Sequence, residues 1–280
     1  MTLRHIAEAL SDAGIENAFH EAMLLCEAFT GKSISSLRIS PDEELPSSEQ
    51  LDIAVKKRCT RFPLQYILGE WEFMGLPFSV NENCLIPRSD TEILCEYIIR
   101  HAPKNAKILD LCTGSGCIVS AVLHYRKDMA GAAVELYPET LALAKENFGK
   151  LGLSDRVLPI QGDVTEDILQ NSEIYDVIVS NPPYVTADEM TLLEPELSAE
   201  PPHALTDGGD GLSILKAIID RYPDHLTEGG FMILEHGSAQ SQAVLSYAEA
   251  KGLSAIPLKD YGGNIRAAVI RKNSDCSQQT

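Results

Sequence analysis

At 280 residues the chain exceeds a usual single domain, and 44% apolar residues suffice to bury a substantial core. The opening TLRHIAEALSDAG is not a basic start followed by an apolar run, and no apolar stretch approaches the ~20 residues that span a bilayer. A cytoplasmic protein without a membrane anchor is therefore expected, and the formal charge of −18 opposes a dedicated nucleic-acid binder, whose affinity rests on neutralising phosphates.

Residues 3–62 read as helices. Leu3, Ile6, Ala7 and Leu10 recur at helical spacing, as do Ala18, Ala22, Leu25 and Phe29. A third helix is predicted from Ser47, whose spacing to Gln50 suits a capping box, and Pro63 stops it. Lys56, Lys57, Arg58 and Arg61 form a basic patch, read as a solvated helix face. Nothing in this segment is chemical, which suggests a helical recognition module. In GEWEFMGLPFSV (69–80), Trp71 and Phe73 alternate with polar neighbours, Met74-Gly75-Leu76-Pro77 reads as a turn, and Phe78 and Val80 alternate again, predicting a β-hairpin. A helix capped by Ser89, with Glu92 three places on, should follow.

From residue 106 strands and helices alternate. Strands are predicted at 107–111, 132–136, 156–160, 175–180, 231–235, 253–258 and 265–271. Helices are predicted at 117–125, from Pro138, at 210–221 and at 238–251. Such alternation implies a mostly parallel sheet covered on both faces, with ligands outside the carboxyl ends of its strands. The tail, 273–280, is polar and expected to be flexible. The seven cysteines are scattered, with Cys26, Cys95 and Cys117 in apolar segments, and no CxxC pair or ligand spacing suggests a metal site.

Two stretches carry chemistry. In the first, Ile108–Gly116, a strand bearing Asp110 runs into the loop Cys112-Thr113-Gly114-Ser115-Gly116 at a helix N-terminus. Glycines there let backbone approach a ligand, and helix-start amides favour a carboxylate. Glu135 ends the next strand, 21 residues after Gly114, where an acid suits ribose hydroxyls. Asp163, beside Val164, follows the third strand and could reach an adenine amine. An oxidoreductase Rossmann loop would want G-x-G-x-x-G, but the third position is Val119. The set resembles instead the S-adenosylmethionine loop of class I methyltransferases.

The second stretch is Asn181-Pro182-Pro183-Tyr184, directly after the fourth strand. Adjacent prolines fix an extended path and aim carbonyls outward beside the Asn181 amide oxygen. A planar –NH₂ on an amide or on adenine is a poor nucleophile because its lone pair is delocalised. Asn181 Oδ1 and the Pro182 carbonyl could each accept one N–H, while Tyr184 stacks on the flat acceptor.

The chain is similar to the release factor glutamine methyltransferase family (HemK/PrmC type) over essentially its whole length. The resemblance rests on Pro63–Gly69, on Leu85-Ile86-Pro87-Arg88-Ser89-Asp90-Thr91-Glu92, on the glycine loop and on Asn181–Tyr184. It extends to Glu200-Pro201 with Ala204-Leu205, Asp210-Gly211-Leu212 and Glu235-His236-Gly237. It implies an α/β fold, a class I S-adenosylmethionine-dependent methyltransferase with a mostly parallel Rossmann-like sheet. The implied domains are a helical substrate-recognition domain (1–68), a hairpin linker (69–84) and a methyltransferase domain (85–272). It implies transfer from S-adenosylmethionine, leaving S-adenosylhomocysteine, to the glutamine amide of a Gly-Gly-Gln loop in peptide chain release factors. Asn181, Pro182 and Tyr184 would be catalytic, and the same residues with Pro183 and Arg88 would bind the substrate. Asp110, Cys112, Thr113, Gly114, Ser115, Gly116, Glu135, Asp163, Val164 and Asn181 would bind the cofactor. A monomer without metal, membrane or DNA partner is expected.

Cys112 stands where the family usually has glycine, Glu135 where it usually has aspartate, and Gly262–Arg266 is looser than the family form. Two rival readings share these features. An adenine-N6 DNA methyltransferase uses the same Asn-Pro-Pro-Tyr logic but needs a target-recognition domain and a basic groove. A non-catalytic binding module with a methyltransferase fold has Cys112 as its support.

Overall fold

The computed structural model describes residues 1–169 and 172–273, in two compact units. The predicted tail, apart from Asn273, lies outside the described residues.

The first unit comprises Met1–Glu70 with Leu193–Ala199. Its helices are α1 (Leu3–Asp12), α2 (Ala18–Thr30), α3 (Ile34–Ile39), α4 (Glu49–Cys59) and α5 (Leu64–Leu68). Leu3, Ile6, Leu10, Leu25 and Leu51 form its core, as the helical spacing predicts. The short α3 breaks the expected run of helices; it buries only Leu37, too little to leave a periodic signal. The cap of α4 is Ser48, not Ser47: Ser48 Oγ accepts the Leu51 N–H at 3.2 Å. Arg58 corrects the reading of a solvated basic face. It is 4% exposed, its Nε donates to Glu21 Oε2 at 2.5 Å, its Nη2 to Glu21 Oε1 at 3.2 Å and its Nη1 to Glu196 Oε1 at 3.0 Å. Arg61 Nη2 reaches Glu196 Oε2 at 2.7 Å, so the two arginines hold Leu193–Ala199 within this unit.

The second unit holds the remaining described residues from Trp71. Strands β1 (Glu70–Phe73) and β2 (Leu76–Ser79) pair around a two-residue turn, Met74–Gly75, with both φ angles positive (53° and 72°). Leu76 and Pro77, predicted in the turn, lie in the strand instead, because a tight two-residue turn matches the twist of the flanking strands. A single 3₁₀ turn, Ser89–Thr91, then leads into α6 (Glu92–His101). The expected Ser89–Glu92 capping box is absent: Glu92 Oε1 accepts the Met74 N–H at 2.7 Å, a partner 18 residues away.

The sheet contains β3 (Lys107–Leu111), β4 (Ala130–Glu135), β5 (Val157–Gln161), β6 (Tyr175–Ser180), β7 (Leu226–Glu235), β8 (Leu253–Lys259) and β9 (Ile265–Lys272). Their spatial order is β5-β4-β3-β6-β7-β9-β8, parallel except for β9, which runs antiparallel to both neighbours. The helices are α7 (Cys117–Tyr125), α8 (Pro138–Lys150), α9 (Pro202–Leu205), α10 (Ser213–Arg221) and α11 (Ser241–Ala250). Alternate strand residues face opposite layers. Ile108, Val177, Phe231 and Ile233 pack with α6, α7 and α8, whereas Leu109, Leu111, Ile178, Met232 and Leu234 pack with α10 and α11. The chain runs outward from β3 through β5, then returns to β6 on the other side of β3, so a switch point opens at the carboxyl ends of β3 and β6.

Candidate active site

A cavity of about 300 Å³ lies at that switch point. Of the residues expected at a cofactor and acceptor site, Cys112, Thr113, Gly114, Ser115, Glu135, Asp163, Val164, Asn181, Pro183 and Arg88 line it. Asp110, Gly116, Pro182 and Tyr184 do not. Three of these four have visible structural work nearby.

Asp110 is fully buried beneath the loop. Its Oδ2 accepts the Thr113 hydroxyl at 2.7 Å and the Val119 N–H at 3.3 Å, tying the glycine loop to the first turn of α7. Burial pushes its pKa up to about 7, and Oδ1 has no hydrogen-bond partner among the described residues. Gly116 has φ 78°, and a Cβ there would lie 2.5 Å from Phe148 Cε1, so this position tolerates no side chain. Cys112 has φ 56°, a conformation glycine adopts freely but other residues at a cost of roughly 1–2 kcal/mol. Burial raises its thiol well above the ordinary range, leaving it a neutral part of the wall.

Glu135, 7% exposed, is oriented by backbone. Its Oε1 accepts the Leu136 and Tyr137 N–H groups at 3.0 and 3.2 Å, and its Oε2 accepts the Gly114 N–H at 3.0 Å. A carboxylate oxygen accepts about two hydrogen bonds, so Oε2 keeps capacity for one more. Burial raises the pKa of Glu135 while the three amides pull it back. Asp163 Oδ1 closes a turn onto the Thr165 N–H (2.8 Å) and hydroxyl (2.7 Å), leaving Oδ2 outside that turn.

At the other end of the cavity Asn181 Nδ2 donates to Thr91 Oγ1 at 3.2 Å. With the amide nitrogen committed there, Oδ1 is the atom left for an incoming N–H. Tyr184, which does not line the cavity, donates its hydroxyl to Glu235 Oε1 at 3.0 Å, and burial raises its pKa. Gln240 Nε2 donates to the Tyr184 carbonyl at 2.9 Å and to the Asp210 carbonyl at 3.1 Å, pinning the loop after β6. Arg88 pairs with Glu200, which is 3% exposed and whose Oε2 also accepts the Ile86 N–H at 3.1 Å.

Sequence reasoning assigned no role to Thr91, Glu200 or Glu235. All three stood in motifs that carried the resemblance, and an acid closing the apolar run Phe-Met-Ile-Leu-Glu was itself a signal of a buried carboxylate. The ring pair Tyr137–His203, with centroids 3.7 Å apart, also lines the cavity and had no signal, since its members come from separate segments.

Residues 2–69 match the family described as the PrmC N-terminal domain, and residues 89–228 match the methyltransferase small domain. The release factor glutamine methyltransferase of Cereibacter sphaeroides is 37% identical over 96% of this chain and 96% of its own. That of Geobacter sulfurreducens is 37% identical over 87% of this chain and 85% of its own. Among solved structures, the hMettl16 catalytic domain in complex with the MAT2A 3′UTR hairpin 1 superposes with a TM-score of 0.57 at 18% identity, covering 81% of this chain and 80% of that one. The ribosomal protein L11 methylase of Lactobacillus delbrueckii gives 0.51 at 19% identity, over 68% of this chain and 82% of that one. These structural likenesses concern the fold alone. Among the described residues no helix is long and apolar enough to cross a membrane.

Proposed function

The chain belongs to the release factor glutamine methyltransferase family, and from that premise we propose that it methylates the side-chain amide nitrogen (N5) of the Gly-Gly-Gln glutamine of peptide chain release factors, using S-adenosylmethionine. The observation that carries the reading is Asn181 on the cavity wall with its amide nitrogen already bound by Thr91, so that Oδ1 serves as an acceptor for an amide N–H.

The cavity fits the cofactor. Its volume lies at the lower end of small-molecule sites. Ser115 Oγ, on its wall, is a buried hydroxyl without a partner among the described residues, and it sits in the loop that opens α7, where a carboxylate is favoured. Glu135 Oε2 would take one ribose hydroxyl and Asp163 Oδ2 the adenine amine, with Leu136, Val164 and Ile214 as apolar walls. When bound, S-adenosylmethionine supplies a methyl group already activated on a positively charged sulfur.

The chain's own part is then orientation. Asn181 Oδ1 accepts one N–H of the glutamine amide and the Pro182 carbonyl the other, holding the nitrogen at one point and favouring localisation of its lone pair. Tyr184, anchored on Glu235, and Pro183 set the path of the loop. Arg88, held by Glu200, lies on the same wall and is available to the incoming protein segment. Residues 1–68 are taken to help seat the release factor. The substrate sets the reaction in the cytoplasm.

The test is incubation with methyl-labelled cofactor and purified release factors, followed by mapping of the modified residue. Label on the Gly-Gly-Gln glutamine, absent when that glutamine is alanine, is the expected result. Label on adenine in duplex DNA but not on a release factor would refute the proposal, and failure to bind the cofactor would favour a non-catalytic module.

A further inference from the structure

Asn147 sits on α8 with none of its surface exposed, and it does not line the cavity. Its amide is nonetheless fully used. Oδ1 accepts the Ser79 N–H at 2.8 Å, and Nδ2 donates to the Ser79 carbonyl at 3.0 Å and to the Ser115 carbonyl at 2.9 Å. The Ser79 N–H can bond only an oxygen, so the main chain at the end of β2 decides which way round the amide stands. Its nitrogen is thereby directed at the glycine loop, 32 residues back along the chain.

The Ser115 carbonyl belongs to the same peptide unit as the Gly116 N–H, which donates to the Thr113 carbonyl at 2.9 Å. Both ends of that unit are therefore held, the oxygen by Asn147 and the hydrogen by the loop itself. The backbone at Gly116 does not hold it unaided. Gly116 has φ 78°, and a residue without Cβ takes φ of either sign readily, so local conformation leaves the Ser115–Gly116 peptide free to turn over. Turned over, its carbonyl oxygen would swing away from Asn147, toward the side on which Ser115 lines the cavity. A partial negative charge would then face the place where the loop favours a carboxylate. The Ser115 hydroxyl, buried and without a partner among the described residues, belongs to the same turn.

We propose that Asn147 is a positioning residue for the cofactor: anchored on Ser79, it holds the Ser115 carbonyl back from the cavity, so that the loop presents donors to the amino-acid carboxylate of S-adenosylmethionine. This rests on the reading of the cavity as the S-adenosylmethionine site. It also makes the end of β2 part of that site, since Ser79 and the cofactor loop share one amide. Thr140 of the same helix repeats the attachment: its hydroxyl donates to the Asn83 carbonyl at 2.6 Å, and both residues line the cavity.

The experiment compares the wild type with Asn147→Asp and Asn147→Leu, both close in volume. Asn147→Asp keeps an acceptor for the Ser79 N–H and loses the donor to Ser115, whereas Asn147→Leu loses both. Titration calorimetry uses two ligands, S-adenosylhomocysteine and 5′-methylthioadenosine, which shares the adenosine and the sulfur but lacks the amino acid. Each variant should bind S-adenosylhomocysteine about tenfold more weakly, the loss of one hydrogen bond to a charged group, and methylthioadenosine within about threefold of the wild type. Unchanged affinity for S-adenosylhomocysteine overturns the proposal. Equal loss of both ligands does the same, because Asn147 would then only support the fold. Hydrogen exchange on the wild type needs no variant and decides the case if neither variant folds. Without ligand the Gly116 amide should exchange about 100-fold or more slowly than in an unstructured chain, and S-adenosylhomocysteine should add less than about tenfold. A Gly116 amide protected only in the complex overturns the proposal, since the ligand and not Asn147 would then set the peptide. A wild type that binds neither ligand refutes the cofactor reading, while Gly116 protection still decides whether the peptide is held.

Discussion

Replacing Glu135 by glutamine changes one atom and should disable the ribose end of the cavity. The carboxylate accepts three backbone amides, two on Oε1 and one on Oε2, and has one acceptor position left. A glutamine has a single acceptor oxygen. If that oxygen serves the Leu136 and Tyr137 amides, the –NH₂ faces the Gly114 N–H, donor against donor, and can no longer accept a ribose hydroxyl. If the amide turns over, two main-chain donors lose their partner instead. In the first arrangement a hydrogen bond to a charged group, worth roughly 1.5–3 kcal/mol, is lost at the ligand; in the second the ribose meets only a neutral acceptor, and two main-chain donors at the site are left unpaired. That predicts a Kd for S-adenosylhomocysteine weaker by about 10- to 150-fold. Titration calorimetry with the product avoids turnover and reads this directly. Circular dichroism on the same samples shows whether the variant is folded. A folded variant that binds within threefold of the wild type would refute the reasoning, because Glu135 would then serve the loop and not the ligand.

Other consequences follow from the same geometry. Asn181→Ala should lower kcat by about 10²–10³-fold, by analogy with losing one preorganised oxyanion donor, with product affinity changed little; activity within fivefold of wild type would contradict it. Arg58→Met removes the buried cation between Glu21 and Glu196 and should cost about 3–5 kcal/mol in urea unfolding of the helical unit, against under 1 kcal/mol if the patch were solvated. Asp110 and Glu235 both have folded pKa values raised to about 7 by burial. Their contribution to stability is therefore fully present below the unfolded carboxylate range and is lost as pH rises through 7. The melting temperature should drop as pH rises from about 5 to about 7 and level off above, and Asp110→Asn should flatten that drop; a wild-type midpoint that rises with pH over that range would exclude it.

Much of the fold was legible because buried parallel strands read as short apolar runs. Lys107–Leu111 and Tyr175–Ser180 fall where the runs predict them. What stayed hidden depends on partners far along the chain. The Glu92 carboxylate, three places after Ser89, suggested a capping box, but a hairpin amide takes it. Arg58 looks solvated among lysines until Glu21, 37 residues away, folds against it. Around the cavity, the loop and the Asn-Pro-Pro-Tyr segment were visible as local patterns. The Thr91–Asn181 bond spans 90 residues and has no local trace. Asp110 was marked as a ligand-facing acid because it lies on the right strand, yet Thr113 and Val119 draw it under the loop. Cys112 reads as a lesion in the glycine loop, yet the chain there simply holds a cysteine in the backbone shape a glycine would take.

β9 comes after β7 and β8 in sequence but lies between them in space. On the ribosome, β7 therefore emerges with its outer edge open, and β8 emerges with no strand to join, until residues 265–272 clear the exit tunnel. The exposed edge includes Phe231-Met232-Ile233-Leu234, an apolar template for unwanted pairing. A transcript cut short before codon 265 should thus yield a sticky product rather than a weakened enzyme.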